Sequence, residues 1–432
     1  MEFILTIVYL LIFLKIINSW KFFKNKWVSK KKIKAFFIIK IIVGLFLFWV
    51  YSNHYSKDKL TRQDADIFKY FDDSEYIFNS IYDKPLDFTK ILLGLDFDKS
   101  YFSKEYYINM NNWDNHYNSH LFNDSRAIIR INAIIRVFSF GFYSIHILFF
   151  CFIGFTGLFA LFKGCTAYFN KKENWLFYSL FLIPSVLLWS SGVLKEPLML
   201  YSLGFIFYYM TLKNYSKSIL LNLIACLVIL FFIKFYVFSI LLCLLVPFKY
   251  NLVKNFKHKF VPYILSLSLF CLLAILLNPK INLLNLIDKK QESFISETKY
   301  KNSGSYFEIT NIEPNLESII KVIPEAIFNS LTRPLPWNVN SLIQLPAVLE
   351  NILLLALIVL AFLDLYRKKM LRKIDVNFVL FCSIFVFLNY VIIGIITPVS
   401  GALVRYKMIA LPFLIMLILL TVNLNRFKMK KS

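Results

Sequence analysis

Eleven apolar runs of helix-spanning length divide this chain, near residues 3–18, 34–52, 143–162, 175–189, 197–212, 218–233, 236–249, 260–278, 347–365, 377–396 and 407–424. A helix crosses the hydrocarbon core of a bilayer in about 20 residues, with about 17 as the usual lower limit. Inside that core every backbone N–H and C=O must be paired within its own segment, so runs of this kind become helices. The pattern predicts an all-α, polytopic integral membrane protein of about 11 transmembrane helices, one membrane domain over residues 1–432. The runs at 175–189 and 236–249 are short and are candidates for re-entrant segments. With 58% hydrophobic and 18% aromatic residues, an ordinary soluble domain is excluded.

The net charge of +23 would suit nucleic acid, but its lysines and arginines are gathered in short clusters beside the apolar runs. These are Lys21 to Lys34, Lys163 to Lys172, Lys213 to Lys217, Lys249 to Lys259, Arg367 to Lys373 and Arg426 to Lys431. Membrane proteins place such clusters on the cytoplasmic side, so the expected partners are membrane lipids and no nucleic acid. With eleven crossings all six clusters fall on one side, which puts the N-terminus outside and the C-terminus in the cytoplasm. The outer face then receives a first loop over 53–128, an elbow near 190–196, a short turn at Lys234, a second large loop over 279–346, and Thr397 to Lys407.

The elbow is Ile183-Pro-Ser-Val-Leu-Leu-Trp-Ser-Ser-Gly-Val-Leu-Lys-Glu-Pro-Leu198. A lysine or acid facing lipid costs roughly 2.5 to 3.5 kcal/mol at a helix centre, so Lys195 and Glu196 are expected to face protein or water. Trp189, Lys195 and Glu196 are therefore candidate substrate-binding residues, and a plain solvated turn accounts for the same composition. In the first outer loop, Ile67, Tyr70, Phe71, Ser74, Ile77 and Phe78 form one helical stripe, with Asp64, Asp66, Asp72, Asp73 and Glu75 beside it. This predicts an amphipathic helix near the membrane surface. Asp124 and Ser125 cap a second helix that carries Arg126 and Arg130 one turn apart. In the second large loop, Leu316 to Asn329 returns as an amphipathic helix into Ser330-Leu-Thr-Arg-Pro-Leu-Pro-Trp-Asn338, whose prolines stiffen the backbone around Arg333 and Trp337.

Two kinds of chemistry are open to these groups. Asp64 and Asp66 could hold a divalent cation, Mg or Mn, or act as a base; a solvated helix face explains them as well. Arg333, Arg405, Lys407 and Lys195 lie on the face that the positive-inside bias disfavours, where Arg offers a two-pronged donor to phosphate and Lys a point charge. Snorkelling to the lipid headgroups is the alternative for each. Trp337, Tyr406 and Lys407 join them as candidate substrate-binding residues. Signatures of soluble enzymes are absent: there is no GxSxG, P-loop, GxGxxG or HExxH. The six cysteines lie in or near apolar runs without CxxC spacing, which suggests neither disulfides nor zinc. Of the five histidines only His116 and His120 have helical ligand spacing, in a polar loop. The first apolar run, Phe3 to Ile17, lacks the basic start and small-residue cleavage site of a signal peptide.

An acidic stretch in the first large outer loop, many spans and polar loops all on the outer face resemble the GT-C-type membrane glycosyltransferases and the bacterial surface-polysaccharide (O-antigen or capsule type) polymerases. Pro184-Ser-Val-Leu-Leu-Trp-Ser-Ser-Gly-Val-Leu-Lys-Glu, Arg333-Pro-Leu-Pro-Trp and Val404-Arg-Tyr-Lys-Met-Ile-Ala-Leu-Pro412 are similar to segments of uncharacterised bacterial membrane proteins grouped near those enzymes. The resemblance runs from Asp64 to Pro412. It implies transfer of a sugar or glycan from a polyprenyl phosphate or pyrophosphate carrier to a glycan acceptor at the outer face of a bacterial inner (plasma) membrane. Carried over, the acid that acts as base or binds metal is Asp64 or Asp66, and the arginines that engage the lipid pyrophosphate are Arg333 and Arg405. The chain departs from the GT-C order by an extra span before the acidic loop, and from its motif by lacking an Asp-Glu or Asp-Asp start. A transporter or flippase of lipid-linked glycans is the rival class, with a non-catalytic envelope assembly protein as a third.

Overall fold

The computed structural model describes residues 1–56, 59–113, 124–254, 256–281, 283–300, 304–339, 344–366 and 374–423, with the side chains of 59, 60, 64 and 277–281 outside the description. His116, His120 and the basic clusters 367–373 and 426–431 fall outside these residues. Twenty α-helices follow one another among the described residues. The first eight are α1 (Glu2–Ser19), α2 (Lys30–Val50), α3 (Lys59–Asp64), α4 (Asp66–Asp83), α5 (Pro85–Leu93), α6 (Lys99–Glu105), α7 (Ser125–Ser139) and α8 (Tyr143–Cys165). Next come α9 (Glu173–Leu182), α10 (Pro184–Trp189), α11 (Glu196–Thr211), α12 (Lys217–Ile233), α13 (Phe235–Lys254) and α14 (Val261–Ile281). The last six are α15 (Leu283–Tyr300), α16 (Leu316–Thr332), α17 (Leu345–Tyr366), α18 (Val376–Ile396), α19 (Ser400–Lys407) and α20 (Leu411–Thr421). Among the described residues the only strand-like pairing is an isolated antiparallel bridge between Tyr306 and Val399.

Among the described residues six helices are long and apolar enough to cross a membrane: Glu2–Ser19, Lys30–Tyr55, Tyr143–Tyr168, Phe235–Lys254, Leu345–Tyr366 and Val376–Ile396. A seventh is added if α19 and α20, bent by 64° at their break, form one span. The protein is thus an all-helical membrane protein. The expected runs at 218–233 and 260–278 appear as shorter apolar helices, and the run at 175–189 is divided at Pro184 into α9 and α10. Exposed large side chains such as Phe3, Ile4 and Leu11 on α1 fit a helix whose solvent is hydrocarbon. Helix starts carry ordinary caps: Ser29, Ser216, Asn315 and Asp375 each accept a backbone N–H three residues on.

The chain divides into two compact units: residues Met1–Gly164 with Leu187–Phe235, and Cys165–Val186 with Tyr236–Ser432. In the first unit, Lys163 Nζ reaches the carbonyl of Phe22 at 3.0 Å and lies 5.2 Å from the Tyr208 ring, so α8 and α11 end beside the α1–α2 turn. At the opposite helix ends, Ser144 Oγ donates to Glu2, Tyr143 OH donates to the Ile67 carbonyl, and Lys195 and Lys234 both meet Asp124. The basic clusters of this unit share one end, and the first loop, the elbow and the Lys234 turn share the other. The second unit repeats the arrangement. Lys172 Nζ donates to the carbonyls of Leu419 and Val422, and Asn251 and Tyr263 both bond Asn377, all beside basic clusters. At the other ends the loops 304–315 and 397–400 are joined by Phe307 N to Pro398 O and Ser400 N to Ser305 O, both 2.9 Å.

The stripe expected on α4 is its buried face, and α7 covers it. Arg136 of α7 donates to Ser74 Oγ and the Phe71 carbonyl and stacks 4.1 Å over the Phe71 ring. Arg126 and Arg130 flank Trp113, the first donating to its carbonyl and the second to that of Ile91. The stripe of α4 is thus met by packing against α7, while α7 leaves Ile134, Val137 and Phe138 exposed.

Candidate functional site

Each unit gathers predicted residues into a polar cluster. In the first, Lys195 follows the Ser-Ser-Gly-Val-Leu stretch and caps α11, whose first turn holds buried Glu196 and Pro197. Its ammonium lies 2.8 Å from Asp124 Oδ1 and 4.7 Å from the Tyr70 ring. Lys234, which interrupts the apolar helices α12 and α13, reaches the other Asp124 oxygen at 3.6 Å. Tyr70 OH donates to Asp66 at 3.1 Å, and Asp66 is ion-paired with Lys69. Burial alone would lower the Lys69 pKa and Lys195 lowers it further, but Asp66 and Tyr70 outweigh both and hold it above the usual lysine value. Lys69, Lys195 and Asp66 thus meet around the Tyr70 ring, and Asp124 links Lys195 to Lys234.

Of the two acids expected to be catalytic, Asp66 joins this cluster, and Asp64 ends α3 with its side chain outside the described residues. A divalent cation at Asp66 would have to displace Lys69 and would sit in the field of Lys195. Among the described residues no group of three or more His, Cys, Asp or Glu is placed to hold a metal ion. The neighbouring acids have structural partners: Asp72 pairs with Arg62 at 2.8 Å, and buried Asp73 accepts from the N–H groups of Asn111 and Asn112. Trp189 ends α10 half-buried.

The second unit brings Arg333, Tyr406 and Lys407 together. Helix α16 ends at Thr332, leaving terminal carbonyls in need of donors. Asn351 Nδ2 bonds the carbonyl of Thr332 at 3.1 Å, and Lys407 Nζ bonds the carbonyl of Arg333 at 3.3 Å and Asn351 Oδ1 at 2.5 Å. The Arg333 guanidinium lies 3.9 Å over the Phe307 ring, against whose cluster Tyr406 also packs, and its Nε donates to Asn329 Oδ1. Burial lowers the Arg333 pKa, and Glu325 opposes that shift. Arg405 lies half-buried on α19, two residues before Lys407. Glu350, next to Asn351, accepts from both the N–H and the hydroxyl of Ser185 at 2.7 Å.

Beside this network the Arg-Pro-Leu-Pro-Trp segment opens an apolar groove of about 310 Å³. Pro334, Leu335, Pro336 and Trp337 line it with Phe328 and Leu355, and Asn351 lies on its polar side. Trp337 is 78% exposed, so the stiff ridge presents an indole at the groove.

Sequence reasoning missed Asp124 and Lys234 as partners of Lys195, and Glu350 and Asn351 as partners of Ser185 and Lys407. Each leaves a trace: Lys234 and Glu350 are lone charges where apolar runs begin or end. Their partners are remote in sequence, so nothing local assigns them.

No protein-family model matches the chain, and no curated protein and no solved structure matches it.

Proposed function

We propose that the chain is a membrane glycosyltransferase or polysaccharide polymerase that takes a sugar or glycan from a polyprenyl phosphate or pyrophosphate carrier at the outer face of a bacterial inner membrane. One observation carries this reading: a single segment, Thr332 to Trp337, lines an apolar groove and adjoins the Arg333–Lys407–Asn351 network. An isoprenoid tail needs the first and its phosphate the second. In the proposed step the acceptor hydroxyl attacks the anomeric carbon, the bond from that carbon to the carrier phosphate breaks, and the hydroxyl proton leaves to solvent or to a carboxylate. Arg333, Arg405 and Lys407 stabilise charge on the departing phosphate, an electrostatic role that often supplies the largest part of catalysis.

The same reading has eleven crossings with the N-terminus outside. The grouping of basic clusters at one end of each unit supports it. Single cysteines replacing Ser103 and Ser305 in a cysteine-free background should react with an impermeant maleimide from outside, and one at Asn214 should not. The reverse labelling would move the site to the cytoplasm.

The rival transporter has one observation on its side. Lys40, buried inside α2, donates to Ser190 of the elbow, and intramembrane ionisable groups often mark transport paths. The assay that separates the readings uses purified protein in proteoliposomes with carrier-linked donor and glycan acceptor. The enzyme forms extended glycan and free carrier phosphate; movement of intact donor between leaflets without product would establish transport instead.

A further inference from the structure

The Lys195 cluster of the first unit has the form of a site already filled by the protein's own carboxylate. Its floor is closed: the Lys195 side chain is 8% exposed and Tyr70 is 2% exposed. Its rim is open, with the side chains of Asp124, Asp66 and Lys234 at 31%, 28% and 21%. Asp124 stands at the N-cap position of α7, where an aspartate ordinarily bonds the helix's first N–H groups, yet its side chain makes no capping bond. Its two oxygens instead divide between two ammonium groups drawn from the elbow and from the end of α12. Lys69 adds a third ammonium, paired with Asp66 and 5.2 Å from the Tyr70 ring.

We propose that this cluster is a binding site for a phosphate or diphosphate group, in which Asp124 occupies the ligand's position in the empty protein. A phosphate offers the same oxygen pair to Lys195 and Lys234 with more charge than a carboxylate, so it competes for them and releases Asp124 to the rim. Lys195 is the buried anchor. Lys234 is the half-buried second contact, and Tyr70 holds the floor through its ring and its bond to Asp66. Neither the groove of the second unit nor glycan transfer is required for this binding. A phosphate free in solution and one carried on a lipid headgroup present the same chemistry to the site.

The test is thermal unfolding of the full chain, in detergent with inorganic pyrophosphate and in nanodiscs of phosphatidylcholine with or without phosphatidic acid. A ligand that binds only the folded state raises the midpoint in proportion to the logarithm of its concentration over its dissociation constant. Protection by pyrophosphate assigns a soluble ligand, and protection by phosphatidic acid alone assigns a lipid headgroup. Lys195→Gln and Lys234→Gln should each weaken binding by roughly tenfold or more, the value of a charge-assisted hydrogen bond. Asp124→Asn is decisive, because removal of the internal competitor should tighten binding roughly tenfold, whereas a purely structural ion pair would give no change or a loss. If Asp124→Asn does not fold, Lys234→Gln at the rim decides alone. Absence of protection by either phosphate, or unchanged affinity in Lys234→Gln, overturns the proposal.

Discussion

At Asp73 two effects oppose each other. Burial raises its pKa, hydrogen bonds from Asn111 and Asn112 lower it, and burial prevails. An acid whose folded pKa exceeds its unfolded value near 3.8 contributes stability that is fully present below that value and is lost as the pH rises through the folded one. Asp73→Asn cannot titrate. Its melting temperature should therefore fall furthest below wild type under acid conditions, and the gap should narrow toward neutral pH; a gap that widens would reverse the assignment. The residue scale is also where the sequence is least informative. Asp72, Asp73 and Asp66 look alike in a row of acids, but one pairs with Arg62, one serves the backbone of Asn111 and Asn112, and one meets Lys69 and Tyr70. Their separate uses are set by long-range packing.

Among the elements, α8 and α11 approach most closely at Gly157 and Gly204. A Cβ at Gly157 would meet the backbone of Leu200 and Tyr201, and one at Gly204 would meet the backbone of Gly157. Close backbone approach of this kind is how helices associate in lipid, where burial of apolar surface gives little drive. Gly204→Ala should cost about 1–3 kcal/mol through overpacking, read as a lowered melting temperature in detergent. Gly304→Ala, with nothing within 4 Å of the added methyl, should melt like the wild type. Equal melting of both variants would contradict the close crossing. Helices themselves were legible from apolar length, but the break at Pro184, which begins α10, falls inside a run that reads as continuous over 175–189. The environment of α4 was not legible either: its stripe identifies a buried face, but a stripe turned toward lipid and one turned toward α7 have the same spacing.

For the whole molecule, charge distribution carried the most information. Basic clusters separated by apolar runs predict which helix ends belong together, and in each unit the hydrogen bonds at the helix ends follow that grouping. The polar clusters were half legible. Lys195, Asp66, Arg333 and Lys407 stand out as polar groups in apolar or stiff contexts, whereas Asp124, Lys234, Glu350 and Asn351 acquire meaning only from partners that folding supplies. The central claim is that the Arg333–Lys407 region acts on the phosphate of a lipid-linked glycan, and the proteoliposome transfer assay tests it most directly. Wild-type protein should lengthen the acceptor and release carrier phosphate. Arg333→Lys and Arg405→Lys, equally well folded, should each lose roughly tenfold or more in rate, since a point charge does not replace a two-pronged donor, while Asp66→Asn should keep most activity and chelator should change little. Full activity in both lysine variants, with loss of transfer in Asp66→Asn, would contradict the account and move the chemistry to the first outer loop.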